Sequence, residues 1–68
     1  MNNMTDITVA SKFDVIYYKA LEANHIPFLL ESKYDFDMEM WTTTFTIKTE
    51  DWQRARTAME QARKENIA

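Results

Sequence analysis

Glycine is missing altogether from these 68 residues, cysteine is missing too, and proline occurs once, at Pro27. Each absence excludes something. Without glycine there is no phosphate-cradling loop of the Walker or Rossmann type, whose backbone must approach a pyrophosphate closely. Without cysteine there is no disulfide scaffold, no thiolate metal site and no cysteine nucleophile, and a small domain without such staples suits a reducing compartment. No apolar run approaches the roughly 18 residues that span a bilayer. Residues Met1–Asp6 offer neither a basic start nor an apolar stretch, so no signal peptide is expected. The formal charge of −3 argues against sequence-independent binding to nucleic acid, which depends on Lys and Arg neutralising phosphates. The expectation is a cytoplasmic chain with no nucleic acid or membrane partner.

What is there reads as one domain spanning the chain, with residues 1–5 expected to be disordered. A chain this short buries only about 60% of the surface its unfolded form exposes, so a partner or a second copy would help complete its core. A short strand is expected at Ile7–Ala10, with Ile7 and Val9 on one face. Ser11 suits a helix N-cap, with Asp14 three residues later. Phe13, Ile16, Tyr17, Ala20 and Leu21 then recur at three- and four-residue spacing, the buried stripe of a helix. Asn24 can take the left-handed backbone that glycine usually supplies at a helix end.

Ile26–Glu31 reads as a second strand with Ile26, Phe28 and Leu30 facing the core, and Pro27, lacking a backbone donor, places its start at a sheet edge. Thr42–Lys48 is rich in β-branched residues and alternates Thr43, Phe45 and Ile47 against Thr42, Thr44, Thr46 and Lys48. Thr49 suits the N-cap of a last helix, where Trp52, Ala55, Met59 and Ala62 form the apolar stripe. Glu50 with Arg54 and Glu60 with Lys64 are four-residue ion pairs of the favourable orientation. The order strand, helix, strand, strand, helix, with a right-handed crossover between parallel first and second strands, leaves room for the third between them. This predicts an α+β fold, a truncated ferredoxin-like β-α-β-β-α unit whose three-stranded sheet carries two helices on one face. The first strand would keep a free edge, and the face bearing Thr8, Leu29, Thr42, Thr44, Thr46 and Lys48 would have no helix over it.

Ala20-Leu21-Glu22-Ala23-Asn24-His25-Ile26-Pro27-Phe28, then Phe45-Thr46-Ile47-Lys48 and Thr49-Glu50-Asp51-Trp52-Gln53-Arg54-Ala55-Arg56, resemble a family of short prokaryotic domains described as signal-transducing proteins. In that family a helix ending in Leu-Glu-Ala and glycine precedes Ile-Pro, and a later strand leads into an acidic helix start. The resemblance spans residues 6–63 and rests on structural motifs. It implies the β-α-β-β-α fold and a regulatory or adaptor role, and it carries no catalytic residues. This chain departs from the pattern at Asn24-His25, where glycine is usual, and in its acidic, aromatic link between the second and third strands.

That link, residues 32–41, is the candidate functional segment, expected to form a protruding hairpin arm. Tyr34, Phe36, Met38 and Met40 alternate with Asp35, Asp37 and Glu39, and Trp41 closes the run. Period-two alternation is what a half-buried strand packed on its own domain would also show. As a partner-binding arm, Tyr34, Asp35, Phe36, Asp37, Met38, Glu39, Met40 and Trp41 would supply aromatic and Met anchors with acids that select a basic surface. As a cation site, Asp35, Asp37 and Glu39 lack the turn glycine and the longer loop pattern of an EF-hand. His25, the only histidine, suits a helix end better than a ligand or base role. No triad spacing is present, so no enzyme activity, cofactor or metal is expected.

Two functional classes fit. The first is a non-enzymatic regulatory or adaptor protein that binds protein, as a homodimer through its open sheet and through the arm. The second is a phage-type inhibitor of a nucleic-acid enzyme or host defence protein, its acids imitating phosphates. A small-molecule sensor similar in fold to the nitrogen-regulatory PII proteins is a weaker third. Arg54, Arg56, Arg63 and Lys64 would suggest nucleic acid, but acids interleave with them, and the sheet face lacks the stacking aromatics of an RNA-binding sheet.

Overall fold

The computed structural model describes residues 3–67, so positions 1 and 2 of the segment expected to be disordered lie outside the described residues. Strand β1 runs Met4–Ala10, helix α1 Asp14–Ala23, strand β2 Leu29–Asp35, strand β3 Met40–Lys48 and helix α2 Trp52–Ile67. Strand β3 is central, in the order β1-β3-β2, and both neighbours pair with it antiparallel. The border strands are therefore parallel to each other, joined across α1, as the β-α-β-β-α order requires. This is the expected α+β, ferredoxin-like arrangement. No fourth strand occurs among the described residues.

The core lies between the sheet and the two helices. Phe45 and Ile47 from β3 are fully buried with Leu21 from α1 and Ala55 from α2, and Tyr17, Ile26 and Met59 complete the cluster. Of the expected stripes, Tyr17, Leu21, Ala55 and Met59 pack here, Phe13, Ile16 and Trp52 are partly buried at the margin, and Ala20 and Ala62 line a hollow between the two helices instead. Helix α2 lies over β1, where Trp52 and Met59 line a hollow with Ile7 and Val9. Helix α1 lies over β2, where Val15 and Tyr18 line another with Leu30.

Several local expectations are corrected. Met4 and Thr5, within the segment expected to be disordered, are strand residues paired with Lys48 and Ile47. Neither Ser11 nor Thr49 caps a helix by its side chain. Each opens a 3₁₀ turn, Ser11–Phe13 or Thr49–Asp51, that splices a strand to the next helix. The two junctions repeat each other: Ala10 and Lys48 share the same extended backbone (φ −64° and −63°, ψ 135° in both). In both, the hydroxyl reaches across to the neighbouring strand, Ser11 to Thr43 at 2.9 Å and Thr49 to Thr5 at 2.8 Å.

Left-handed backbone falls on His25 (φ 55°), not on Asn24 (φ −97°). The N–H of Ile26 donates to Leu21 O and that of His25 to Glu22 O, each at 3.0 Å. This is the double bond of a Schellman helix end, with Ile26 and Leu21 both buried as its apolar contact. The residues Ile26–Phe28 therefore belong to the helix end and the link. Strand β2 starts three residues later than the apolar alternation indicates and runs on to Asp35. Leu30 sits on the helix side of the sheet opposite Phe45, yet remains 46% exposed. Arg54 pairs with Asp51 at 3.3 Å rather than with Glu50, and Glu60 pairs with Arg56 at 3.0 Å rather than with Lys64.

Candidate partner-binding site

Register places both limbs of the arm within the sheet and leaves only its tip outside. Strands β2 and β3 continue to the pairs Tyr34–Trp41 and Asp35–Met40, and Phe36–Glu39 form the turn. The protruding arm of residues 32–41 is thus the far end of the β2–β3 hairpin. Asp35 makes the turn: its Oδ1 accepts the backbone N–H groups of Asp37 (2.9 Å) and Met38 (3.1 Å). Glu39 closes it with φ 53°, a second left-handed position filled without glycine.

Pairing also redistributes the expected anchors. Directly opposed residues of an antiparallel pair share a face, so Tyr34 stands with Trp41 on the helix side, and Met40 stands with Asp35 on the other. The alternation had grouped Met40 with Tyr34. The rings of Tyr34 and Trp41 lie 5.8 Å apart edge to face, and Phe36 adds a third ring 5.0 Å from Tyr34. These contacts bind the anchors to each other and not to the core. Phe36 is 82% exposed, Met38 65% and Trp41 58%.

The uncovered face is polar. Across it run the rows Asp6–Thr46–Leu29, Thr8–Thr44–Glu31 and Ala10–Thr42–Lys33. Thr44 and Thr8 hydroxyls bond at 2.9 Å, and Thr46 donates to Asp6 at 2.7 Å. Thr42, expected to be open, is buried between its neighbours at 6% exposure. No aromatic ring stands on this face. It is a hydroxyl ladder that water can solvate, so the apolar surface available to a partner lies elsewhere.

That surface is the border of β2 and its continuation into the turn. Strand β2 pairs on one side only, as β1 does, leaving alternate N–H and C=O groups facing outward along its length. Leu29, Leu30 and Tyr34 are exposed along it, and Val15 and Tyr18 of α1 flank it. The hollow that Val15, Tyr18 and Leu30 line holds about 310 Å³. The free border expected at β1 is open too, but Val15 and Tyr18, which the sequence groups with that border as a dimer surface, stand at the border of β2 because α1 lies over that strand.

The three arginines considered for nucleic acid have other contacts. Arg54 donates to the carbonyl of Asn24 at 3.0 Å, tying α2 to the end of α1. Arg56 lies over the Trp52 ring and Arg63 over the Phe13 ring. Among the described residues no group of three His, Cys, Asp or Glu side chains could hold a metal ion, and Asp35 is engaged by the turn it builds. No helix of the described residues is long and apolar enough to cross a membrane. Comparison with family models, with curated proteins and with solved structures finds no match, so the fold and the geometry of this hairpin border are what describe the chain.

Proposed function

We propose that this chain is a small, non-enzymatic regulatory or adaptor module of the cytoplasm. It acts by binding protein, assembles as a homodimer through an open sheet border, and offers the acidic, aromatic end of its β2–β3 hairpin to a partner. The observation that carries this reading is the exposure of Phe36, Met38 and Trp41 together at one end of the sheet. Large apolar side chains clustered at a rim are costly to leave in water and are the residue types that anchor interfaces. Asp37 and Glu39, exposed between them, favour a basic partner and steer its approach. The regulatory role that the family resemblance implies agrees with this reading.

The inhibitor reading relies on the acids alone, and one of the three, Asp35, is turned to the backbone of its own turn. The docking reading uses the aromatic residues as well and is the one adopted. Its test is the joint change of Phe36, Met38 and Trp41 to Ser. Partners captured from host extract by the parent chain should be lost, with the thermal midpoint nearly unchanged because these side chains lie outside the core. Partner capture indifferent to all three changes would refute the reading.

A further inference from the structure

The border of β2 is complementary to itself, and we infer that its occupant is the β2 strand of a second copy of this chain, running antiparallel across a two-fold axis at Ser32. This rests on the reading of the chain as a protein-binding module and names the partner and the register. Ser32 is the central residue of Leu29–Asp35. An axis there sets Glu31 opposite Lys33 of the second copy, Lys33 opposite its Glu31, and Leu30 opposite its Tyr34.

Each of those pairs falls on one face by the observed register. Glu31 and Lys33 lie on the hydroxyl face, opposite Thr44 and Thr42 of β3, and Leu30 and Tyr34 lie on the helix face, opposite Phe45 and Trp41. All four side chains are exposed. The dimer thus gains two cross-strand ion pairs and two aromatic–aliphatic pairs, the units that stabilise neighbouring strands. The pairing also brings the second copy's Tyr34 beside the hollow lined by Val15, Tyr18 and Leu30. Those exposed apolar residues of α1 would be covered at the same step. Three strands from each copy then form one six-stranded sheet with no open border at its centre, while Phe36, Met38 and Trp41 stay at its two ends for another partner.

The β1 border does not offer this. An axis at Ile7, the centre of Met4–Ala10, would set Asp6 opposite Thr8 and Thr5 opposite Val9. No charge is matched there, and Asp6 already accepts a bond from Thr46.

Charge reversal tests the register without disturbing the core. Sedimentation velocity over a concentration series should show dimer formation by the parent chain. Glu31→Lys or Lys33→Glu alone places like charges opposite each other twice per dimer. Each should weaken association about five- to tenfold, and less in high salt. The double variant, Glu31→Lys with Lys33→Glu, should restore the parent's association to within about twofold. Because the chain has no cysteine, Ser32→Cys supplies one thiol per copy. Opposed Cα atoms about 4.5–5.5 Å apart lie within disulfide reach, so Ser32→Cys should cross-link on oxidation and Ile7→Cys, at the centre of β1, should not. Three results would overturn the inference: a monomer up to about 1 mM, a dimer indifferent to both single reversals, or cross-linking through Ile7→Cys instead. A strict monomer that still binds a partner through Phe36, Met38 and Trp41 would remove this pairing and leave the docking function standing. A charge-sensitive dimer with no arm-dependent partner would do the reverse.

Discussion

Thr43 shows how much one buried hydroxyl can organise. It is fully buried, and its Oγ1 donates to Asp14 Oδ2 at 3.1 Å. With its single proton spent there, its two lone pairs accept from Ser11 at 2.9 Å and Ser32 at 3.1 Å. One side chain thus ties β3 to the first 3₁₀ turn, the start of α1 and β2, and no buried side-chain nitrogen or oxygen among the described residues is left without a partner. Thr43→Val keeps the shape and removes all three bonds. We expect a loss of about 1–2 kcal/mol in urea unfolding, at the upper end if water cannot reach the Asp14 carboxylate. At His25 the left-handed backbone strains a residue with a Cβ, so His25→Gly should stabilise by about 0.5–1 kcal/mol after the added unfolded-state entropy is counted. Calorimetry should show a midpoint a few degrees higher; an unchanged or lower value would mean the imidazole makes a compensating contact. The sequence marks His25 as a helix-end residue, whereas Thr43 reads only as one of the strand's threonines, since its partners come from distant segments. The spacing that nominates Asn24 as the left-handed residue cannot distinguish it from its neighbour, because which of two polar residues carries positive φ depends on where the helix bonds end.

Among the elements, the helices were the more legible. Their apolar stripes recur at helical spacing whatever they pack against, so Tyr17, Leu21, Ala55 and Met59 are core residues in the sequence and in the structure. Strand β2 was not, since Ile26 and Phe28 alternate as strand residues would, while their burial comes from the helix end and the link. The hairpin end of β2 and β3 shows the same limit. Period two fixes which residues alternate, but the four-residue turn Phe36–Glu39 decides that Trp41, not Met40, joins Tyr34. Glu39 holds that turn at positive φ. Glu39→Gly should relieve the strain and raise hairpin stability by about 0.5–1 kcal/mol. Amide exchange should then slow for Tyr34 and Trp41 relative to the parent, and faster exchange would show that the Glu39 side chain itself supports the turn.

The whole molecule is thin, 37 × 32 × 14 Å, with one core layer between a sheet and two helices. A domain of this length commands about 3–10 kcal/mol in total. Phe45 lies in the central strand with no exposed surface, and its ring packs edge to face on Phe28 at 5.6 Å. Phe45→Ala should cost about 3–5 kcal/mol and leave a largely unfolded chain at 37 °C, checked by near-ultraviolet circular dichroism. A cooperative melt close to that of the parent would mean the core relies less on this ring than its burial implies. In so small a body, the proposed covering of a border between two copies would be a substantial gain.

Local chemistry set a good deal in advance. The lack of glycine and cysteine removed phosphate loops and thiolate chemistry, helical periodicity named the buried stripes, and element order led to a β-α-β-β-α unit with β3 in the middle. Each of these depends on residues near one another in the chain. Tertiary packing alone decided that α1 lies over β2, that Val15, Tyr18 and Leu30 meet at one border, and that Ser11 and Thr49 bond across strands instead of capping helices. Those outcomes depend on which distant backbone arrives opposite a side chain, and that is a property of register and packing.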